Sequence, residues 1–162
     1  MSRFLAEMVV PGEPSSVPLL RHFVGRVLTV AGHRNVESAQ LVTSELAGNA
    51  ALHTRSARPG GLITVEVTEV DDALVRIEVI DEGALTLPRP QAVRDEACHG
   101  RGLRLVEHMS VQWGVRLKAL AWKAVWAEVP TTEDTLTATT SASPSDTEPV
   151  MALRQSRGSR PG

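Results

Sequence analysis

Around Gly61 the recurrence of apolar residues changes from a helical to a strand period, and a chain that does this commits itself to a sheet with helices packed on it. Before the change, Leu20, Phe23, Val24, Val27, Leu28 and Ala31 recur at helical spacing and stop at Gly32. Ser15 and Ser16 offer N-caps, and Pro18 stands where a first helical turn tolerates it. A second helix begins near Asn35, carries Glu37 in its first turn where the helix dipole favours an acid, and runs to His53. After the change, Ile63, Val65 and Val67 alternate with Thr64, Glu66 and Thr68. Beyond the Asp71-Asp72 turn, Val75, Ile77 and Val79 alternate with Arg76 and Glu78, which predicts an antiparallel hairpin with one covered face. Phe4 to Val10 adds a short strand closed by Pro11-Gly12, and Val111 to Leu117 with Leu120 to Val129 reads as a closing antiparallel pair rich in Val and Trp. The expected class is α+β: a two-layer α/β sandwich whose mostly antiparallel sheet is covered on one face by helices.

Within that frame three polar features stand where a bland surface would not put them. On the second helix, at 100° per residue, Glu45, Asn49 and His53 fall on one line between Leu41 on one side and Val42 and Leu46 on the other, inside the apolar stripe. An unpartnered carboxylate or amide there costs on the order of 2 kcal/mol or more, so such groups meet a core hydrogen bond, a metal or a ligand. Asp81 has the strand parity of Val75, Ile77 and Val79, so a carboxylate ends the hairpin aimed at the covered side. Gly100 and Gly102 precede a short helix through Leu103, Leu105, Val106 and Met109. Glycines at that place leave backbone N–H groups facing outward, a phosphate-binding geometry.

Composition narrows the function classes. The net charge of −2, with three Trp, two Phe and no Tyr, supplies neither the basic field nor the stacking platforms of a nucleic-acid binder. Cys98 is the only cysteine, which leaves no internal disulfide and no zinc spacing. Glu7, Pro11 and Glu13 interrupt any signal-peptide core, and no apolar run approaches the ~18 residues of a membrane span, so a soluble cytoplasmic protein is expected. The irregular stretch from Gly83 to Gly100 is long for a connector and has the character of a lid. After Pro130 the sequence turns to Thr, Ser, Pro and Asp, so the expected division is a domain over 1–130 and a disordered, dispensable tail over 131–162.

In order along the chain, ELAGNAALH (Glu45 to His53), VIDEG (Val79 to Gly83) and GRGLRLVE (Gly100 to Glu107) resemble the N box and the two glycine boxes of the Bergerat or GHKL ATP-binding domain. That domain is shared by gyrase B, histidine kinases, heat-shock chaperones and mismatch-repair ATPases. The match looks nearest to the small free-standing branch, the anti-sigma-factor serine-protein kinases and related regulatory ATP-binding proteins of actinobacteria, to which PGEPSSV, WGVR and VWAEV are also similar. It spans roughly Phe4 to Val129. Leu85 replaces the second glycine of the first glycine box, and Ala51-Leu52 stands where a basic residue is common before the histidine. The residues given before Phe4 hold no phospho-accepting histidine helix, so a histidine autokinase is not the expectation.

The resemblance implies a role for each motif residue, and each role has its own chemistry. Mg²⁺ wants oxygen ligands and shares them with nucleotide phosphates and water, so the side-chain carbonyl of Asn49 is an adequate protein ligand. Glu45, one turn earlier, is the implied general base, or else the group that orients a metal-bound water. Asp81 accepts from the adenine amino group, where guanine would present a carbonyl, and Gly83 lets the backbone approach the base. Gly100 and Gly102, with the backbone of Arg101 and Leu103, meet the phosphates, and Arg101 adds charge. The function this implies is an anti-sigma factor that uses Mg-ATP to phosphorylate a serine or threonine of an antagonist protein. Its protein partners are a sigma factor and that antagonist, with room for a homodimer. The alternative is a non-catalytic, ATP-sensing clamp on a partner.

Overall fold

A computed structural model describes residues 1–83 and 101–132; Leu85, Cys98 and Gly100 lie outside the described residues, as does the sequence after 132. Five strands, β1 (Arg3–Pro11), β2 (Leu62–Asp71), β3 (Leu74–Asp81), β4 (Gln112–Leu117) and β5 (Lys123–Pro130), form one sheet. Its order is β1-β2-β3-β5-β4, and every neighbouring pair is antiparallel. Among the described residues three α-helices, α1 (Val17–Val30), α2 (Glu37–His53) and α3 (Gly102–Met109), accompany the sheet in an α+β sandwich. None of them is long and apolar enough to cross a membrane.

Strand alternation sorts the two faces of the sheet. Ile63, Val65, Val67, Val75, Ile77, Val79, Ala127 and Val129 are buried and meet Leu20, Val24 and Leu28 of α1, Val42 and Leu46 of α2, and Val106 of α3. The opposite face is ionic. Glu78 accepts from Arg116 at 2.6 Å and sits 3.2 Å from Lys118, while Arg76 pairs with Glu128 and lies 4.6 Å over the Trp126 ring. Pairing with Arg116 and Lys118 holds the Glu78 carboxyl below the usual carboxylate range, against the desolvation that would raise it.

One local expectation is corrected. Ser16 occupies the N-cap position of α1, yet its side chain makes no cap hydrogen bond. The 3₁₀ turn Pro14–Ser16 runs directly into the helix and leaves Ser16 with helical rather than extended dihedrals, so its hydroxyl is not aimed back at the first turn. Ser15 donates to Glu13 instead.

Thr131, the first residue past the expected boundary at Pro130, packs against the domain. Thr131 is buried; its N–H donates to Ala73 O at 2.8 Å, its carbonyl accepts from Asn35 N, and its hydroxyl meets His33 Nδ1 at 2.7 Å. The other nitrogen of His33 lies 3.1 Å from Glu69 Oε2. A chain ending at Thr132 is therefore expected to melt within a couple of degrees of the full chain. One ending at Pro130 strands these buried partners, at roughly 1–3 kcal/mol, and should melt about 5 °C lower or more. Equal melting of the two shortened chains would keep the boundary at Pro130.

Candidate functional site

α2 supplies two of the polar groups. Its buried arc passes through Ala39, Val42, Thr43, Leu46, Ala47, Ala50 and Ala51, so Glu45 and Asn49 lie half-buried on the margin of the stripe rather than inside it. His53, expected on the same line, is exposed, because the helix ends at that residue and the chain turns extended at Thr54.

What covers this margin of α2 is the start of α3. A Cβ placed on Gly102 would stand 2.5 Å from Glu45 Oε2 and 4.0 Å from Asn49 Nδ2. Glycine at 102 thus leaves room for the Glu45 carboxylate, which would have to shift if a side chain stood there. Arg101 is the exposed N-cap of α3 and makes no side-chain cap, Leu103 is half-buried, and the first α-helical bond runs from Leu105 N to Arg101 O. By helix geometry the N–H groups of the preceding residues point out of the helix end, where the dipole is positive. The second glycine box and the N box thereby present backbone donors, a carboxylate and a carboxamide to one place.

The Asp81 end of β3 is built separately. Asp81 is 2% exposed, as strand parity required. Its Oδ1 accepts from Gly83 N at 2.7 Å, and its Oδ2 lies 3.6 Å from Lys123 Nζ, the residue opposite it on β5. Burial pushes the Asp81 carboxyl above its usual range, while Lys123 and the Gly83 N–H pull the other way. Gly83 has φ +81°, and a Cβ there would stand 2.2 Å from Ala121 O. Its carbonyl accepts from Arg55 N at 2.9 Å, so the turn after β3 is tied to the residue just beyond α2.

Sequence reasoning did not find the polar latch beside this turn. Ser56 Oγ donates to Leu62 O at 2.6 Å and accepts from Glu82 N at 2.9 Å; Glu82 Oε2 accepts from Leu62 N. Thr54 Oγ1 bonds Ala50 O and Ser56 N, fastening the end of α2 to the same latch. Only the small polar residues after the helix hinted at it. Lys123 was missed as well: its facing depends on the β3–β5 register, which β5 alone does not reveal.

A cavity of about 330 Å³ has Arg55, Arg58, Glu82 and Trp122 among its walls. It borders the Asp81 turn through Glu82, but Glu45, Asn49, Asp81 and Gly102 do not line it. The residues for Mg²⁺ fit the ion's chemistry in a limited way. Among the described residues no three His, Cys, Asp or Glu converge on a metal cage. An ion beside α3 would take one protein oxygen, Asn49 Oδ1, and the rest from phosphate and water. The Gly102 space beside Asn49 and Glu45 is the observation that favours this arrangement.

A family model described as histidine kinase-like ATPase domain matches residues 10–118, more than half of the chain and a span that contains all the site residues named from the motifs. No curated protein matches the chain.

Proposed function

The chain belongs to the histidine kinase-like ATPase domain family, and from that premise we propose that it is an ATP-binding regulatory protein that transfers the γ-phosphate of Mg-ATP to a serine or threonine of a small antagonist protein, and that also holds a sigma factor. The observation that supports this reading is the seating of Glu45 against Gly102 at the start of α3 with Asn49 alongside. A proton acceptor and phosphate-facing donors thereby share one corner.

In this reading the base edge rests at Asp81 and the phosphates lie at the α3 N-terminus, where Gly102, Leu103 and their N–H groups face them. Mg²⁺, when bound, neutralises phosphate charge and takes Asn49 Oδ1 as a ligand. Glu45 would accept the proton of the partner hydroxyl as the hydroxyl oxygen bonds to the γ-phosphorus and the bond from that phosphorus to the β,γ-bridging oxygen breaks, releasing ADP, or would hold a water if no hydroxyl is present. Arg101, exposed beside the helix start, adds positive charge near the phosphates. A sigma-factor partner implies a cytoplasmic protein, and direct contact with nucleic acid is no part of the reading.

Calorimetry with ATP, with and without Mg²⁺, tests the binding half. Mg²⁺ should tighten ATP binding to the parent by about tenfold or more, close to 1.4 kcal/mol per tenfold, and Asn49→Ala should lose that dependence. Equal Mg²⁺ dependence in both proteins would remove Asn49 from the metal site.

A further inference from the structure

Asp81 has a fixed companion across the sheet. Lys123 stands directly opposite on β5, on the same covered face, with Nζ 3.6 Å from Asp81 Oδ2 and its side chain 31% exposed. That separation makes an ion pair and is longer than a hydrogen bond. A carboxylate oxygen has two lone pairs and an ammonium has three donors. Both groups can therefore engage a ligand edge and remain paired. The other oxygen of Asp81 is held by Gly83 N, which fixes the carboxylate plane and leaves Oδ2 as the oxygen facing Lys123.

Resting on the ATP reading above, we infer that Asp81 and Lys123 together read the adenine edge, Asp81 accepting from the N6 amino group while Lys123 donates to ring nitrogen N1. These two atoms sit on neighbouring positions of the adenine edge, one a donor and the other an acceptor. An acceptor and a donor side by side on two paired strands match them in that order. Hypoxanthine reverses the pattern, with a carbonyl at position 6 and an N–H at position 1, so both contacts would become mismatched in the same register. Lys123 is thus a specificity residue touching the base, and more than a counter-ion for a buried acid.

The test uses the full chain and two nucleotides, ATP and 1-deaza-ATP, in which a C–H replaces N1 and the amino group is kept. The parent should bind 1-deaza-ATP about tenfold or more weaker than ATP, the scale of one hydrogen bond to a charged donor. Lys123→Met should bind ATP about tenfold weaker and treat the two nucleotides alike within about twofold. Lys123→Arg, which keeps a donor, should retain the preference. A purely structural Lys123 would lower affinity for both nucleotides equally and leave their ratio unchanged. If Lys123→Met keeps the parent's ratio, or if the parent shows no preference, the inference is overturned. Should the Met variant not fold, Lys123→Val, which suits a strand, serves the same comparison. A parent that binds neither nucleotide overturns the ATP reading itself and this inference with it, an outcome distinct from ATP binding without discrimination.

Discussion

Glu45→Gln is expected to leave ATP affinity within about tenfold of the parent while phosphate transfer to a partner hydroxyl falls by roughly 10² or more, the usual range for a general base. Gln keeps the length of the side chain and its place in the Gly102 space, so the corner formed by α2 and α3 should be preserved. What it loses is the ability to take a proton. A loss of transfer at nearly constant affinity marks an interaction made in the transition state rather than in the ground state. The check is single-turnover transfer measured beside equilibrium binding. If Glu45→Gln transfers phosphate as fast as the parent, the base is elsewhere, and Glu45 is a packing partner of Gly102.

Gly83→Ala should destabilise the domain by about 2–5 kcal/mol, combining the left-handed backbone penalty with overpacking against a neighbouring backbone. Residue 83 has φ +81°, and the new methyl would stand 2.2 Å from Ala121 O, a backbone atom that cannot rotate away. Relief requires the turn to move, which would disturb both the Gly83 N–H on Asp81 and the Arg55 N–H on Gly83 O. Nucleotide affinity should fall along with stability, since the carboxylate loses the donor that orients it. Gly48 is the control. It lies inside α2 with open space where a Cβ would go, so Gly48→Ala should be neutral or stabilising by up to about 1 kcal/mol. Urea melts of the two variants decide the matter, and equal stability would mean that the Gly83 turn is not strained by a side chain.

Much of this architecture was legible because hydrophobic period reports local geometry directly. The helical spacing of Leu20, Val24 and Leu28 and the alternation from Ile63 to Val79 correspond to buried positions, and the parity of Asp81 placed a carboxylate on the covered face. The features that escaped depend on contacts between distant segments. Thr131 looks like the first residue of a polar tail, and it is retained in the domain only because His33, Asn35 and Ala73 reach it. Lys123 looks like an ordinary strand lysine until β5 inserts between β3 and β4 and sets it opposite Asp81. The α2 line was read from Leu41, whereas burial centres on the small residues Ala39, Ala47, Ala50 and Ala51, which let neighbouring elements approach closely. That shift moves Glu45 and Asn49 to the edge of the stripe, where a ligand can reach them. Gly102 was legible as a glycine preceding a helix, but its service to Glu45 was not, since the two residues are far apart in the sequence.

The most direct test of the central claim is phosphate transfer itself. The full chain is mixed with Mg²⁺, ATP labelled on the γ-phosphate and each small antagonist-like protein encoded by the same genome, and the label is mapped to the residue that receives it. The account predicts label on a serine or threonine of one such protein, dependent on Mg²⁺ and strongly reduced in Glu45→Gln. Tight Mg-ATP binding by the parent with no label on any of these proteins would contradict it and leave a nucleotide-sensing clamp in its place.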